Sequence, residues 1–482
     1  MTGELVALEA EYDRTGITPG IVHIGVGGFH RAHQAMVIDD LLRHGGHRDW
    51  GICGVGLLPG DARMRDALAA QDNLYTLVIK HPDGSLDHRT VGSIVEYLLA
   101  PDDPEAVLER MADPATRIVS LTITEGGYNF DQVTGEFDTT DPAVAADAVP
   151  GAVPTTVFGY VVEALARRRE RGIAPFTVMS CDNVQGNGTK ARTVFSAFAG
   201  LRDPELGDWV RSEVAFPNSM VDRITPVTTD EDRELVRERI GVEDRWPVVA
   251  EPFFQWVLED EFPLGRPEWS EAGVQLVDDV EPYELMKLRL LNASHQAMAY
   301  FGYLAGHRYA HEAMADPAIA ALLRAYMESE ATPTLRPVPG IDLNDYRATL
   351  LERFGNPEIR DTLARLCMES SDRIPKWLVP VIRERLAAGG DVRLSAAVVA
   401  SWARYAEGVD EAGEPIDVND RLADILVPRA RSQRSDPLAF LRDPSLFGDL
   451  VDDPRFTRPY LDTLDRLHTI GAAATLELLV GD

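Results

Sequence analysis

Short apolar, β-branched runs alternate with amphipathic helical stretches through the first half of the chain, and few folds accommodate such an alternation. Five runs are typical of strands, several of them apolar on both faces as in buried parallel sheets: GIVHIGVGG, WGICGVGLL, NLYTLVIK, RIVSLTIT and FTVMSCDN. The stretches between them repeat apolar residues at helical intervals and end at glycine, as in HRAHQAMVIDDLLRHG. This order predicts a doubly wound α/β domain over residues 1–280.

The strand signals fade beyond residue 280. The remaining stretches are helical by period and are separated by Gly, Pro and Asp, as in YELMKLRLLNASHQAMAYFGYLAG, RIPKWLVPVIRERLAAGG and LSAAVVASWARYAEG. The sequence therefore predicts a second, mostly α-helical domain over residues 281–482.

Charge and composition narrow the classes of partner. The 482 residues are 45% hydrophobic and carry a formal net charge of -31 without a concentrated basic stretch, which disfavours nucleic acid and membrane surfaces and leaves a small-molecule substrate. Cys53, Cys181 and Cys367 are far apart and lack a nearby Cys or His, so we expect no metal site and a reduced compartment. With no basic leader and no apolar segment of transmembrane length, we expect a cytoplasmic protein.

The first predicted strand runs into a glycine-rich turn and then directly into a helix. Gly25, Gly27 and Gly28 lie in this turn, and Phe29 follows them. Glycine lets the backbone pass close to a pyrophosphate, and the helix start offers free N–H groups and the positive end of a dipole. We interpret the stretch as a Rossmann-like turn. His30 stands where the third glycine of G-x-G-x-x-G would be, and the alternative is a turn that binds nothing.

An acid after the second strand would hold the adenosine ribose of a dinucleotide. Asp61 in LLPGDARM is the first acid beyond WGICGVGLL, although it lies further from the glycines than the usual spacing of about 20 residues. If Asp61 is this contact, its charge accepts hydrogen bonds from the ribose 2′-OH and rejects a 2′-phosphate, which favours NAD over NADP. A solvated surface acid in a loop is the alternative.

One helical stretch of the second half, KLRLLNASHQA, carries a cation, an amide and an imidazole among apolar residues. At about 100° per residue, Glu284 and His295 share one narrow sector, with Lys287 flanking it on one side and Asn292 on the other. A desolvated lysine near a substrate alcohol can act as general base, and an amide N–H can stabilise the alkoxide. The alternatives are a lysine that reaches the surface, a core histidine and a capping asparagine.

Two predicted strands end in polar residues. Asn183 follows Asp182 at the end of FTVMSCDN, and Glu125 follows RIVSLTIT. Ligands of open α/β sheets bind beyond the carboxyl ends of the strands, so Asn183 can supply a second oxyanion donor and Glu125 can carry protons. An ordinary strand-ending turn is the alternative for both residues.

Six blocks occur along the chain in the order GVGGFHRAHQ, SLTITEGGYN, FTVMSCDN, FPNSMVDRITP, EPFFQWVLED and ELMKLRLLNASH. Together they resemble the polyol-specific long-chain dehydrogenase/reductase (mannitol dehydrogenase) family, and the resemblance runs from residue 18 to the C-terminal region. It implies NAD-dependent, metal-independent interconversion of a polyol and a ketose by a Rossmann-like domain and a helical domain. It also implies a monomer.

The resemblance implies roles in catalysis, proton transfer, substrate binding and cofactor choice for ten residues. They are the base Lys287, the oxyanion donors Asn183 and Asn292, the substrate-orienting His295, the proton-path acids Glu125 and Glu284, the substrate-pocket residues Asp222, Arg223 and Arg365, and the NAD-selecting Asp61. Gly60 stands where relatives can carry a second acid, which leaves the strictness of NAD over NADP open.

The expected reaction is the oxidation of D-mannitol at C2 to D-fructose, and its reverse. D-Arabinitol and D-sorbitol remain open as substrates. Fructuronate reductase, a related activity on D-mannonate and D-fructuronate, also remains open, and its substrate carboxylate would need a cation such as Arg365 or Arg373. From another class, an NAD-binding sensor remains an alternative, although a sensor would not need alkoxide-stabilising groups.

Overall fold

The computed structural model describes residues 5–130 and 136–481 of the chain. The chain divides into two compact units, one ending at Val280 and the other beginning at Glu281. Among the described residues, no helix is both long enough and apolar enough to cross a membrane.

The first unit is built from short strands and helices that alternate along much of the chain. Its strands are β1 (Pro19–Ile24), β2 (Gly51–Gly56), β3 (Tyr75–Lys80), β4 (Leu86–Val91), β5 (Ile94–Leu99), β6 (Ile118–Leu121), β7 (Thr177–Ser180), β8 (Ser219–Asp222), β9 (Val248–Ala250), β10 (Gln255–Glu259) and β11 (Gln275–Val277). Its helices are α1 (Gly28–Ala32), α2 (Gln34–Arg43), α3 (Ala62–Ala69), α4 (Pro104–Ala112), α5 (Pro142–Asp147), α6 (Val157–Glu170), α7 (Asn187–Arg202), α8 (Pro204–Glu213) and α9 (Asp230–Leu235).

Five strands form a central sheet in the order β5-β2-β1-β6-β7, and each neighbouring pair is parallel. Side chains of β1 pack into two hydrophobic cores, one on each face of the sheet, because successive side chains alternate between the faces of a strand. Val22 and Ile24 pack in one core with α6 and α7, and Ile21 packs in another with α2. Helices therefore cover both faces of the sheet, and the predicted doubly wound α/β fold is confirmed.

The stretch NLYTLVIK is a strand, β3, but it lies outside the central sheet. It pairs antiparallel with β4 and parallel with β9, and a third sheet has the order β11-β10-β8. The edge of the central sheet beside β2 is formed instead by β5, which sequence reasoning did not single out. The middle of β5 is only partly buried, so it lacks the long apolar run that marks the inner strands.

The second unit is helical, and no strand occurs among its described residues, as the sequence predicted. Its helices are α10 (Glu281–Met286), α11 (Ala293–Leu304), α12 (Ala310–Met314), α13 (Pro317–Ala325), α14 (Leu343–Phe354), α15 (Leu363–Leu366), α16 (Ser370–Trp377), α17 (Val379–Ala387), α18 (Arg393–Tyr405), α19 (Ala423–Ser432), α20 (Pro444–Phe447), α21 (Pro454–Thr469) and α22 (Gly471–Gly481). π-Helical segments occupy Lys287–Asn292 and Tyr326–Ala331. The buried helix α18 packs against α11 and α21.

Candidate active site

The turn after β1 needs glycine at one position for the fold and leaves another position open. Gly25 has a φ of +96°, and a Cβ there would lie 2.2 Å from the carbonyl oxygen of Thr122. At Gly27, the N-cap of α1, a Cβ would meet only the Gly25 carbonyl oxygen, at 3.9 Å, among the described atoms beyond its immediate neighbours. A Cβ at Gly28 would make ordinary contact with Thr225 at 3.5 Å. The surface at Gly27 is open, as the close approach of a pyrophosphate requires.

The single helix expected after the glycine turn is broken in two. α1 ends at Ala32 after five residues, His33 has a φ of -125° and a ψ of -96°, and α2 begins at Gln34. The guanidinium of buried Arg223 donates to the Ala32 carbonyl at 2.7 Å and to the Glu251 carbonyl at 3.1 Å. Arg223 thus engages the carbonyl at the break, where a continuing helix would use its own N–H groups. The dipole behind the turn is that of a short helix, shorter than the sequence predicted.

Phe29 and His30 pack into the first unit from the start of α1. The ring of Phe29 stacks on that of His33, with centroids 4.8 Å apart. His30, at the position of the third glycine, stacks on His23 with centroids 3.4 Å apart and planes 9° apart. Burial lowers the pKa of His30, and it lowers the pKa of His23 to about 3, so both rings are neutral. The stacked rings pack α1 directly against β1, because His30 lies in α1 and His23 in β1.

Asp61 ends a 3-10 turn, Pro59–Asp61, just beyond β2. Its Oδ2 accepts the Leu58 N–H at 2.9 Å, and its Oδ1 has no hydrogen-bond partner in the described part of the chain. Tyr97 of β5 lies nearby, and desolvation and the Asp61 charge raise the pKa of its phenol. The turn therefore orients the Asp61 carboxylate and leaves one oxygen available beyond the end of β2.

A buried carboxylate, Asp182, joins the end of β7 to the loop after β6. It accepts the N–H groups of Ile123 at 3.2 Å and Thr124 at 2.8 Å, and the hydroxyl of Tyr128 at 2.8 Å. Thr124 has a φ of +66°, a strained conformation for a β-branched residue, and these bonds hold it. Burial raises the pKa of Asp182 to about 6. The sequence pattern places this aspartate at the end of a strand but indicates no role for it.

Glu125 and Asn183 are exposed and directly follow Thr124 and Asp182, so the Asp182 contacts hold both segments. Asn187, which the sequence pattern did not indicate, stabilises the loop that contains Asn183. Its Nδ2 donates to the Asp182 carbonyl at 3.1 Å and to the carbonyl of a β8 residue at 2.8 Å. The only signal for it was its place in the polar stretch after a strand.

The central sheet brings the predicted residues of the first unit to one edge. The glycine turn follows β1, Asp61 follows β2, Glu125 follows β6 and Asn183 follows β7, and these four strands are neighbours. The order of the strands reverses between β1 and β6. Ligands of open α/β sheets bind outside the carboxyl ends of the strands at such a reversal. Asp222 and Arg223 belong to a different sheet, where both side chains are buried at the end of β8.

In the second unit, Glu284, Lys287, Asn292 and His295 lie on one continuous helical rod, and all four side chains are buried. The rod is not a plain α-helix, because Lys287–Asn292 is a π-turn and the Ala293 N–H donates five residues back to the Leu288 carbonyl. The expected spacing of 100° per residue was therefore wrong here. It would place Lys287 and Asn292 about 140° apart around the axis, whereas a π-turn, which hydrogen-bonds residues five apart, brings them closer to one face.

The Asn292 amide is a buried donor with an unmet hydrogen bond. The residue is 4% exposed, and its Nδ2 has no hydrogen-bond partner among the described residues. A buried amide without a partner costs several kcal/mol, on the order of 2 to 7 depending on the reference state, and such groups are rare in native proteins. An oxygen of a bound ligand would satisfy this donor.

His295 and Arg365 have defined neighbours in the second unit. The His295 ring lies 4.5 Å, centroid to centroid, from the ring of Phe354. Arg365 forms a two-pronged ion pair with Asp361, with Nε to Oδ1 at 2.7 Å and Nη2 to Oδ2 at 2.5 Å. Asp361 thus neutralises the Arg365 charge. Within the described ranges, no group of three His, Cys, Asp or Glu side chains is arranged to hold a metal ion.

Two family models match successive parts of the chain. The model of the mannitol dehydrogenase Rossmann domain matches residues 19–271, and that of the mannitol dehydrogenase C-terminal domain matches residues 279–468. The chain belongs to the mannitol dehydrogenase family. A mannitol 2-dehydrogenase of Phaeosphaeria nodorum is 49% identical over 469 residues, which are 96% of this chain and 82% of that protein.

Two solved structures resemble the chain over nearly its full length. The Pseudomonas fluorescens mannitol 2-dehydrogenase, in a ternary complex with NAD and D-mannitol, has a TM-score of 0.90 at 45% identity and covers 98% of this chain and 96% of its own. A D-sorbitol dehydrogenase in substrate-free form has a TM-score of 0.88 at 39% identity, and the match covers 97% of this chain and 96% of that one. The family resemblance noted in the sequence is confirmed.

Proposed function

We propose that this protein is an NAD-dependent polyol dehydrogenase that oxidises D-mannitol at C2 to D-fructose and catalyses the reverse reaction. The observation that carries the proposal is the unpartnered Nδ2 of buried Asn292 among the described residues, one π-turn from buried Lys287. A polyol oxygen is the kind of ligand that satisfies this donor. The named ligands of the Pseudomonas fluorescens relative support both NAD and D-mannitol.

Lys287 is the proposed general base. Its side chain is buried, and an amine in its neutral form can accept the proton of the C2 hydroxyl. Asn292 and Asn183 donate to the oxygen as its negative charge develops, and His295 orients the hydroxyl. Glu284, one turn before Lys287, and Glu125 carry the proton onward to solvent.

The residues at the sheet edge fit NAD. Gly25 makes the turn, the open surface at Gly27 and the start of α1 at Gly28 and Phe29 receive the pyrophosphate, and Asp61 offers Oδ1 to a ribose hydroxyl. Bound NAD supplies the acceptor for the hydrogen and electron pair that leave C2. The charge of Asp61 repels a 2′-phosphate, so we expect NAD to be preferred over NADP.

The polar groups proposed for the substrate pocket favour a neutral substrate. The Arg365 charge is matched by Asp361, and the Arg223 donors are engaged by the carbonyls of Ala32 and Glu251. A substrate carboxylate would have to compete with Asp361 for Arg365. This pairing argues against D-mannonate, and Asp222, Arg223 and Arg365 are proposed to act on hydroxyl groups.

D-Sorbitol is the second candidate substrate, because a D-sorbitol dehydrogenase resembles the chain almost as closely as the mannitol enzyme does. D-Mannitol and D-sorbitol differ only in configuration at C2, and both give D-fructose on oxidation there. The reverse reaction separates them, because D-fructose and NADH yield D-mannitol, D-sorbitol or both.

The test of the function is NADH formation by the purified protein with D-mannitol, D-sorbitol, D-arabinitol and D-mannonate, each with NAD or NADP and with or without a chelator. We expect the highest kcat/KM with D-mannitol and NAD, unchanged by the chelator. Preference for D-mannonate would reassign the protein as a fructuronate reductase. No turnover of any substrate, with NAD still bound, would favour a sensor.

Replacing Lys287 by Ala removes the proposed base and leaves the residues assigned to NAD untouched. We expect kcat for D-mannitol to fall by about 10²- to 10⁴-fold, with NADH affinity nearly unchanged. Steady-state kinetics and an NADH fluorescence titration measure the two quantities. Lys80→Ala is the matched control, because Lys80 pairs with Asp232 at 2.7 Å in the first unit and has no proposed catalytic role. Near-normal turnover of Lys287→Ala would overturn the assignment.

A further inference from the structure

The π-turn at Lys287–Asn292 changes which backbone N–H groups and carbonyls pair along the helix. A π-turn pairs each N–H with the carbonyl five residues back, and an α-helix pairs it with the carbonyl four back. At the junction between the π-turn and α11, one carbonyl therefore receives no hydrogen bond from an N–H group of the helix. The Ala293 N–H takes the Leu288 carbonyl, so the next carbonyl along the chain is that of Arg289.

The Arg289 carbonyl has a donor from outside the helix. The hydroxyl of Tyr326 donates to it at 3.1 Å, across 37 positions of sequence. Tyr326 is fully buried, and burial raises the pKa of its phenol, so the hydroxyl stays protonated as a donor. A buried carbonyl without this bond would be left unsatisfied, which native proteins avoid.

The side chain of Arg289 anchors the same turn from a second direction. Its two Nη atoms reach both carboxylate oxygens of Glu384 at 2.7 Å, and Nη1 also donates to the Thr334 carbonyl at 2.7 Å. Bidentate pairs of this kind fix geometry as well as adding energy. The backbone and the side chain of Arg289 are thus both held by the segment that runs from Tyr326 to Thr334 and by α17.

We propose that Tyr326 is a positioning residue for Lys287 and Asn292. Its hydroxyl satisfies the carbonyl that the π-turn leaves over, and so keeps the turn between the proposed base and the proposed oxyanion donor. Without the hydroxyl, the unpaired carbonyl favours moving the π-turn along the helix, which changes the angle between Lys287 and Asn292. This inference rests on the proposed function, because it concerns how two of its residues are aimed.

The variant Tyr326→Phe tests the proposal, since it deletes one hydroxyl and keeps the ring. We expect kcat for D-mannitol to fall about tenfold or more, because small displacements of reacting groups cost factors of this size, while KM for NAD stays within about twofold. Hydrogen exchange followed by mass spectrometry should show faster exchange in peptides that cover residues 287–297. A purely structural role would lower stability and speed exchange throughout the protein, but it would leave the kcat of the folded protein unchanged and would not single out residues 287–297.

Tyr460→Phe is the matched control. Tyr460 is also fully buried, and its hydroxyl donates one hydrogen bond, to Gln433 at 2.7 Å, which joins α21 to the residue that follows α19. This variant loses a bond of the same type, so it reports the general effect of such a loss on stability. We expect wild-type kcat and wild-type exchange across residues 287–297.

The outcomes separate the positioning role from the function it serves. A low kcat in Tyr326→Phe, with faster exchange at 287–297 and a normal Tyr460→Phe, supports the positioning role. A kcat within twofold of wild type in Tyr326→Phe, while Lys287→Ala is inactive, overturns the positioning role and leaves the proposed function standing. An equal loss of kcat in both tyrosine variants also overturns it. Full activity of Lys287→Ala overturns the proposed function and the positioning role with it.

Discussion

Gly25 and Gly27 lie two residues apart in one turn, yet they are glycines for different reasons. Gly25 has a positive φ, and a side chain there would collide with the Thr122 carbonyl. At Gly27 a Cβ would find open space, with no described atom nearer than 3.9 Å beyond the adjacent residues. The first glycine serves the fold, and we propose that the second serves NAD.

The substitutions Gly25→Ala and Gly27→Ala separate these two roles. Gly25→Ala should lower the free energy of unfolding by about 2 kcal/mol or more, because strain at positive φ adds to the collision. Gly27→Ala should lower it by less than about 1 kcal/mol, as is usual for changes at an N-cap, yet weaken NAD binding about tenfold because the methyl group occupies the approach of the pyrophosphate.

Urea denaturation and calorimetric titration with NAD measure these effects. Each variant is the control of the other, since both add the same methyl group to the same turn. Unchanged NAD affinity in a folded Gly27→Ala protein would contradict the place assigned to the pyrophosphate. Wild-type stability of Gly25→Ala would contradict the collision with Thr122.

At the scale of the elements, the two π-turns of the second unit connect several helices. The turn Tyr326–Ala331 contains Glu330, whose carboxylate accepts the N–H groups of Leu394 at 2.7 Å and Ser395 at 2.9 Å, and the hydroxyl of Ser395. These groups open α18, whose own N-cap, Val392, offers no side-chain cap. Burial raises the pKa of Glu330 to about 7. Tyr326 and Glu330 thus tie the π-turn at Lys287 to the start of α18.

Glu330 predicts a dependence of stability on pH. Its pKa rises on folding from 4.5 to about 7, so the folded protein holds this proton more tightly than the unfolded chain does. The contribution of Glu330 to the free energy of unfolding is therefore largest below pH 4.5 and falls as pH rises to about 7. We expect the free energy of unfolding to fall by roughly 3 kcal/mol less in Glu330→Gln than in wild type over this pH range, because the neutral amide does not titrate.

Urea denaturation of wild type and Glu330→Gln at a series of pH values measures that difference. Asp182, whose pKa is also raised, titrates in both proteins, so its contribution cancels. A constant offset between the two curves across this range would contradict a raised pKa of Glu330. It would leave the capping role of the carboxylate unaffected.

At the scale of the whole molecule, the main electrostatic feature is a strongly acidic composition. The formal net charge of -31 repels anions over distances of about a Debye length, roughly 8 Å at physiological salt. A neutral polyol is unaffected by this field, whereas D-mannonate and the pyrophosphate of NAD are both repelled by it, so the local groups of the site decide which anion binds. The Arg365 to Asp361 pair is such a local group, and it disfavours a substrate carboxylate.

Four strands of the central sheet could be predicted because β1, β2, β6 and β7 are buried on both faces and are rich in apolar residues. The edge strand β5 could not, because half-buried positions interrupt its apolar residues. Lys287 and Asn292 could be singled out because polar groups are rare in an apolar helix. Tyr326 could not, since nothing local distinguishes a tyrosine that bonds to a carbonyl 37 positions away.

The amino-acid sequence by itself determined the fold class, the glycine turn, the sheet-edge acids and amides, and the family. These follow from local patterns, which depend on the order of neighbouring residues. Only the tertiary structure decided the break after α1, the clamp of Asp182 on Thr124, the π-turn at Lys287 and the unmet donor of Asn292. The break, the clamp and the unmet donor each involve a hydrogen bond made or missing between residues far apart in the chain, and we propose the same for the π-turn. The local pattern carries no record of such partners.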